Sequence, residues 1–123
     1  MLIVDDDNDI RTIATLALQT IGQMQVHSAA SAQEALAMLD TLRPDLMVLD
    51  VMMPGTDGAS LYEMIRKMER FRDTPIVFMT ARAQGGEIQR YLAMGAAGFI
   101  GKPFDPITLA DRLRAILESV PKR

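Results

Sequence analysis

The sequence predicts an α/β fold built on a parallel sheet with helices on both faces. Five short apolar segments recur along the chain, turn residues follow each of them, and a stretch with helical spacing comes next every time. Parallel strands need crossovers, and crossovers of one hand lay helices on both sides of the sheet. With 123 residues, a single domain over 1–123 is expected.

In chain order, strands are expected at Leu2 to Val4, Val26 to Ala29, Leu46 to Leu49, Ile76 to Met79 and Gly98 to Ile100. The first helix presents Ile10, Ile13, Ala14, Ala17 and Ile21 on one face, the third Leu61, Met64, Ile65 and Met68, the fifth Leu109, Leu113, Ile116, Leu117 and Val120. Ser31 with Glu34 three residues on reads as a capping box opening the second helix, and Asp105 followed by Pro106 marks the start of the fifth. The fourth helix, about Gly86 to Met94, is the least specified: paired glycines stand at its entry, and Ile88, Tyr91 and Leu92 are its few strong apolar positions. It is the element expected to move.

Apolar residues make up 49% and charged residues 24%, the balance of a soluble globular protein, and a net charge of −3 gives no footprint for nucleic acid. No apolar run approaches the roughly 20 residues of a membrane span, and Met1-Leu2-Ile3-Val4 is too short for a signal peptide. Direct ligands of nucleic-acid or lipid type are therefore not expected. The absence of cysteine excludes disulfides and thiolate metal sites and suits a reducing compartment, so the expectation is cytoplasmic. The ten methionines read as core fillers.

In such a sheet every strand ends on one edge, where ligands of open α/β sheets bind. That edge collects Asp5 and Asp6 after the first strand, Asp50 at the end of the third, Thr80 at the end of the fourth and Lys102 after the fifth. Converging carboxylates repel, and a cation or bound protons must compensate them. Oxygen-only donors favour a hard ion, with magnesium the best fit and manganese an alternative. Zinc would want His or Cys; His27, the lone histidine, reads as an ordinary strand residue. An EF-hand over Asp5, Asp7 and Asp9 fails, because Ile10 stands where glycine is needed and Leu16 where an acid is needed. Asp7, Asn8 and Asp9 read instead as the capped start of the first helix. Asp50, followed by the turn-rich Pro54-Gly55 and Asp57-Gly58, has two readings: a buried structural acid, or a nucleophile toward a phosphoryl group. Thr80 and Lys102 would supply a hydroxyl and a positive charge to phosphoryl oxygens, which favours the second.

Val4-Asp5-Asp6, Leu49-Asp50 through Met53-Pro54-Gly55 to Asp57-Gly58, Thr80-Ala81 and Lys102-Pro103-Phe104 resemble the receiver domain of two-component response regulators over essentially the whole chain. The resemblance implies a flavodoxin-like doubly wound (βα)5 sheet of strand order 2-1-3-4-5. It further implies Asp50 as phosphoacceptor, Asp6 as direct ligand of a magnesium ion, Asp5 acting through a water, and Met52 offering its backbone carbonyl. Thr80 and Lys102 would hold the phosphoryl oxygens, Phe99 would be the aromatic switch that follows Thr80, and Lys102-Pro103 would be cis. Partners so implied are a histidine kinase or phosphotransfer protein, with a homodimer or output partner at the surface of the fourth helix, fifth strand and fifth helix. Met52 and Arg82, two residues after Asp50 and Thr80, occupy positions that tune dephosphorylation in the family. Such a module labels itself but turns over no separate substrate.

The first strand has almost nothing before Leu2, where the family usually has more residues, so a trimmed chain or fragment is expected, and residues 1–123 hold no output-domain sequence of their own. A stand-alone receiver, a relay shuttle and a piece of a larger regulator or hybrid kinase all agree with this. Among rivals, a haloacid-dehalogenase phosphatase wants a second Asp where Met52 stands. A pseudo-receiver is disfavoured by the intact acidic pair, Asp50, Thr80 and Lys102. A flavin-binding relative is disfavoured by two tyrosines and no tryptophan.

Overall fold

The computed structural model describes residues 1–53, 55–81 and 86–120. Pro54 and Arg82, named above, lie outside the described residues. The strands are β1 (Leu2–Val4), β2 (His27–Ala29), β3 (Met47–Asp50), β4 (Ile76–Thr80) and β5 (Gly98–Gly101), and the helices α1 (Asn8–Thr20), α2 (Ala32–Met38), α3 (Gly58–Arg66), α4 (Gly86–Met94) and α5 (Leu109–Ser119). All strand pairs are parallel, in the order β2-β1-β3-β4-β5. The central strands are buried on both faces, which is why Leu2–Val4 and Ile76–Met79 are continuous apolar runs without polar alternation.

Two cores result. Beneath α2, α3 and α4 lie Ala35, Leu61, Ile65, Phe78 and Tyr91; beneath α1 and α5 lie Ala14, Leu18, Val77, Ile100 and Leu113. Each fully buried aliphatic side chain stabilises the fold by about 1.5–3 kcal/mol relative to exposure. Phe78 stacks between Tyr62 and Tyr91, with ring centroids 5.6 and 4.7 Å away.

Local signals hold in most places. Asp7 caps α1 by accepting from the amides of Asp9 and Ile10, and Ser31 caps α2 by accepting from Glu34. Lys102-Pro103 is cis. Three expectations need correction. On α1 the buried face is Ala14, Ala17 and Leu18, while Ile13 and Ile21 are 46% and 52% exposed. The apolar stripe expected for that helix is wider than the face it buries, and contact with β1, β2 and α5 selects the side carrying Ala14, Ala17 and Leu18. On α3, Tyr62 is buried and Met64 exposed, because Tyr62 reaches under α4. The fifth helix begins later than Asp105: that carboxylate accepts from the amide of Ile107 in a turn, and the helix starts at Leu109. A 3-10 turn at Glu69–Phe71, absent from the expectations, buries Phe71 before β4.

Among the described residues, no helix is long and apolar enough to cross a membrane.

Candidate functional site

The three buried polar or charged residues of the described chain, Asp5, Asp50 and Thr80, all belong to the carboxyl edge of the sheet. Asp50 is the last residue of β3 and Thr80 the last of β4; Asp50 stands beside Met79 in the strand register, and Thr80 beside Gly101. The backbone then brings the cation in, for the amide of Lys102 donates to the Thr80 carbonyl at 2.7 Å, carrying β5 one residue past the edge.

Lys102 lies between two acids. Its Nζ is 2.8 Å from Asp5 Oδ2 and 3.0 Å from Asp50 Oδ1, with both carboxylates almost fully buried. Asp5 Oδ1 accepts from the amide of Asp7 at 2.9 Å, and Asp50 Oδ1 from the amide of Met52 at 3.3 Å. Burial pushes the Asp50 carboxyl up to about 6, the Lys102 hydrogen bond opposes that, and the charge of Asp5 adds to it. Burial alone would lower the Lys102 ammonium, but its hydrogen bonds to Asp5 and Asp50 outweigh this and raise it. At neutral pH the pocket therefore favours an ionised Asp50 next to a charged lysine.

Asp6 is exposed, and Asp5, Asp6 and Asp50 each offer a carboxylate oxygen within 4.8 Å of one another. One ammonium against three carboxylates leaves negative charge in excess, and the donors are oxygens only, so the residues present fit a hard divalent ion. Met52 is 73% exposed beside this cluster. A hollow next to it runs between the β3–α3 loop and α4, lined by Met52, Asp57, Thr80, Glu87, Arg90 and Tyr91. Asp57 caps α3 by accepting from the amide of Ser60 at 2.8 Å. That contact is the main reason its carboxyl lies below the ordinary value.

Phe99 is half-buried on β5, in register with Phe78 and on the same pleat face as Thr80. His27 is exposed and pairs with Leu2 at the opposite end of the strands, away from the acids. One residue near the site went unnoticed in the sequence: Arg11, whose Nη1 donates to the Asp5 carbonyl at 2.6 Å. Position in the first turns of a helix after an acidic loop was its only signal.

A family model for the response regulator receiver domain matches residues 1–114. The chain is 40% identical over 118 residues to the transcriptional regulatory protein YvrH of Bacillus subtilis, covering 96% of this chain and 48% of that protein. To the phosphate regulon transcriptional regulatory protein PhoB of Pseudomonas aeruginosa it is 38% identical over 117 residues, covering 95% and 51%. The chain thus spans about half the length of these curated relatives. Among solved structures, the chemotaxis response regulator CheY4 of Vibrio cholerae superposes with a TM-score of 0.87 at 34% identity, covering 94% of this chain and 95% of that one.

Proposed function

Because the chain belongs to the response regulator receiver domain family, we propose that Asp50 is its phosphoacceptor and that residues 1–123 act as one receiver domain. Membership of that family supports a role in two-component signalling, and the partner proposed with it is a histidine kinase or phosphotransfer protein, with magnesium as the ion. One observation carries the assignment of roles. Lys102 bridges Asp5 and Asp50 at 2.8 and 3.0 Å where three carboxylates converge, so nucleophile, cation ligands and charge stabiliser arrive from different βα loops.

Asp5, Asp6, Asp50 and the Met52 backbone carbonyl would hold the ion, with Asp5 acting through a water. When bound, the ion neutralises the acid cluster and the charge of the incoming phosphoryl group. An Asp50 carboxylate oxygen forms a bond to phosphorus as the donor's bond to phosphorus breaks, and the donor's leaving group departs with the electron pair. Lys102 and the Thr80 hydroxyl steady the equatorial oxygens. Water later cleaves the acyl phosphate, releasing inorganic phosphate and returning the carboxylate, and with one acceptor each chain carries at most one phosphoryl group at a time.

The response is proposed to pass from Thr80 to Phe99 and α4 and to emerge at the surface of α4, β5 and α5, where an output partner or second copy would bind. Supporting this, Tyr91 is the one buried residue of α4 in the described chain, so little packing resists its displacement. The test is intact-protein mass spectrometry after incubation with a small phosphodonor and magnesium. One phosphoryl group on the wild type and none on Asp50→Asn is expected. Equal labelling of the Asn variant would move the acceptor elsewhere, and no labelling of folded, magnesium-binding wild type would remove the reading.

A further inference from the structure

β1 ends at Val4, and the amide of Asp5 still donates to Ala29, but its carbonyl has left the sheet. That carbonyl receives the Arg11 Nη1 at 2.6 Å, while Arg11 Nη2 donates to the Asn8 side chain. The oxygen belongs to the peptide unit joining Asp5 to Asp6. Because that unit is planar, holding its oxygen fixes the direction in which the chain enters Asp6. The carboxylate of Asp5 is tied twice over, by the Asp7 amide and by Lys102. Asp6, exposed at the tip of the same loop, depends for its aim on the backbone beneath it.

We infer that Arg11 is a positioning residue for Asp6: the guanidinium, braced by Asn8, locks the Asp5–Asp6 peptide so that the Asp6 carboxylate points into the acid cluster. This rests on the reading of Asp6 as an ion ligand. Fork geometry matters more than charge here, since two separate nitrogens engage two acceptors, which lysine cannot reproduce. Electrostatics and positioning also predict opposite signs. Removing a positive charge near three carboxylates should by Coulomb attraction tighten binding of a divalent cation. Removing a brace should loosen it, as loss of outer partners of metal ligands does.

Magnesium titration of the metal-free chain, with wild type and Asp6→Ala as references, separates these. Arg11→Ala and Arg11→Lys should each weaken affinity about tenfold, the low end for such outer partners, and Asn8→Ala, which leaves the charge in place, should weaken it less. Affinity in Arg11→Ala equal to or tighter than wild type overturns the inference. A wild type indistinguishable from Asp6→Ala overturns the ligand reading on which it rests, and the inference with it. Hydrogen exchange of the Asp7 amide without metal gives the independent readout: faster exchange in Arg11→Ala supports the brace, and unchanged exchange removes it even if the metal affinity falls.

Discussion

The two edges of the sheet use charge in opposite ways. At the carboxyl edge, Asp5 and Asp50 are buried around a single lysine, and burial holds Asp50 against its preference for water. At the amino edge, arginines lie on backbone carbonyls. Arg66 donates to Phe71 and Thr74 at 2.8 and 2.7 Å, Arg43 to Leu39 and Leu42 at 3.0 Å each, and Arg70 to Leu39 at 3.3 Å. Leu39 closes α2, so Arg43 and Arg70 meet the negative end of a helix as well as orphan carbonyls. Arg43 and Arg70 also approach the buried Phe71 ring, at 5.7 and 4.9 Å from its centroid. One edge therefore gathers buried charge at a cost in stability, and the other uses charge to satisfy backbone carbonyls and so supplies stability.

The strongest way to break that contrast is Arg66→Ala. It leaves two loop carbonyls and the Tyr62 hydroxyl without a donor, and a loss of about 3 kcal/mol in urea unfolding is expected. Labelling per folded molecule should be unchanged. A loss within about 0.5 kcal/mol, the range of an ordinary surface change, would mean that the amino edge is not a stabilising device.

The converse is Asp50→Asn, expected to stabilise the metal-free chain by on the order of 2 kcal/mol at pH 7. The folded carboxyl is pushed up to about 6, above the ordinary value of 3.8, so the native state holds the proton more tightly than the unfolded one. Stability from this group is fully present below about pH 4, falls as pH rises through the folded value of about 6, and stays lost above it. Unfolding free energies of the two proteins should nearly coincide at pH 4 and separate by pH 7. An Asn variant less stable than wild type at pH 7 would show that the Lys102 pair outweighs the burial of Asp50.

A smaller effect sharpens the comparison at the amino edge. The Tyr62 hydroxyl donates to the Met94 carbonyl at 3.0 Å, tying α3 to the last residue of α4. Tyr62→Phe should lose between about 1 and 1.5 kcal/mol. Hydrogen exchange should quicken in the last turn of α4 while β3 stays protected; equal acceleration in both would mean that no local tie was cut.

The smallest test sits on the carboxyl edge itself, where an exposed acid should behave as the reverse of Asp50. Asp57 caps α3, and its hydrogen bonds with Ser60 lower its carboxyl. A lowered folded value places the stabilisation above the unfolded one, and it is lost as pH falls through the folded value, below about pH 4. Asp57→Ala should cost about 0.5 to 1 kcal/mol at pH 7, and thermal melts should show the difference closing toward pH 3. A difference that persists in acid would take the cap's contribution away from the carboxylate.

The sequence by itself determined the order of elements, the parallel sheet and the edge on which the acids, Thr80 and Lys102 meet. Strand-end position is a local property, and parallel crossovers bring all strand ends to one side. Strand order was available only through the motifs shared with a family, since apolar periodicity says that strands are buried but not which strand is beside which. Tertiary structure decided what depends on neighbours distant in the chain. It selected Leu18 over Ile13 on α1 and Ile21 just past its end, and Tyr62 over Met64 on α3, because packing buries only part of a wide apolar stripe. It made Asp5 the fully buried acid and Asp6 the exposed one, a difference invisible in two adjacent identical residues. It also turned Arg11 and Arg66 onto backbone carbonyls, and such partners leave no trace in sequence because every residue type carries a carbonyl.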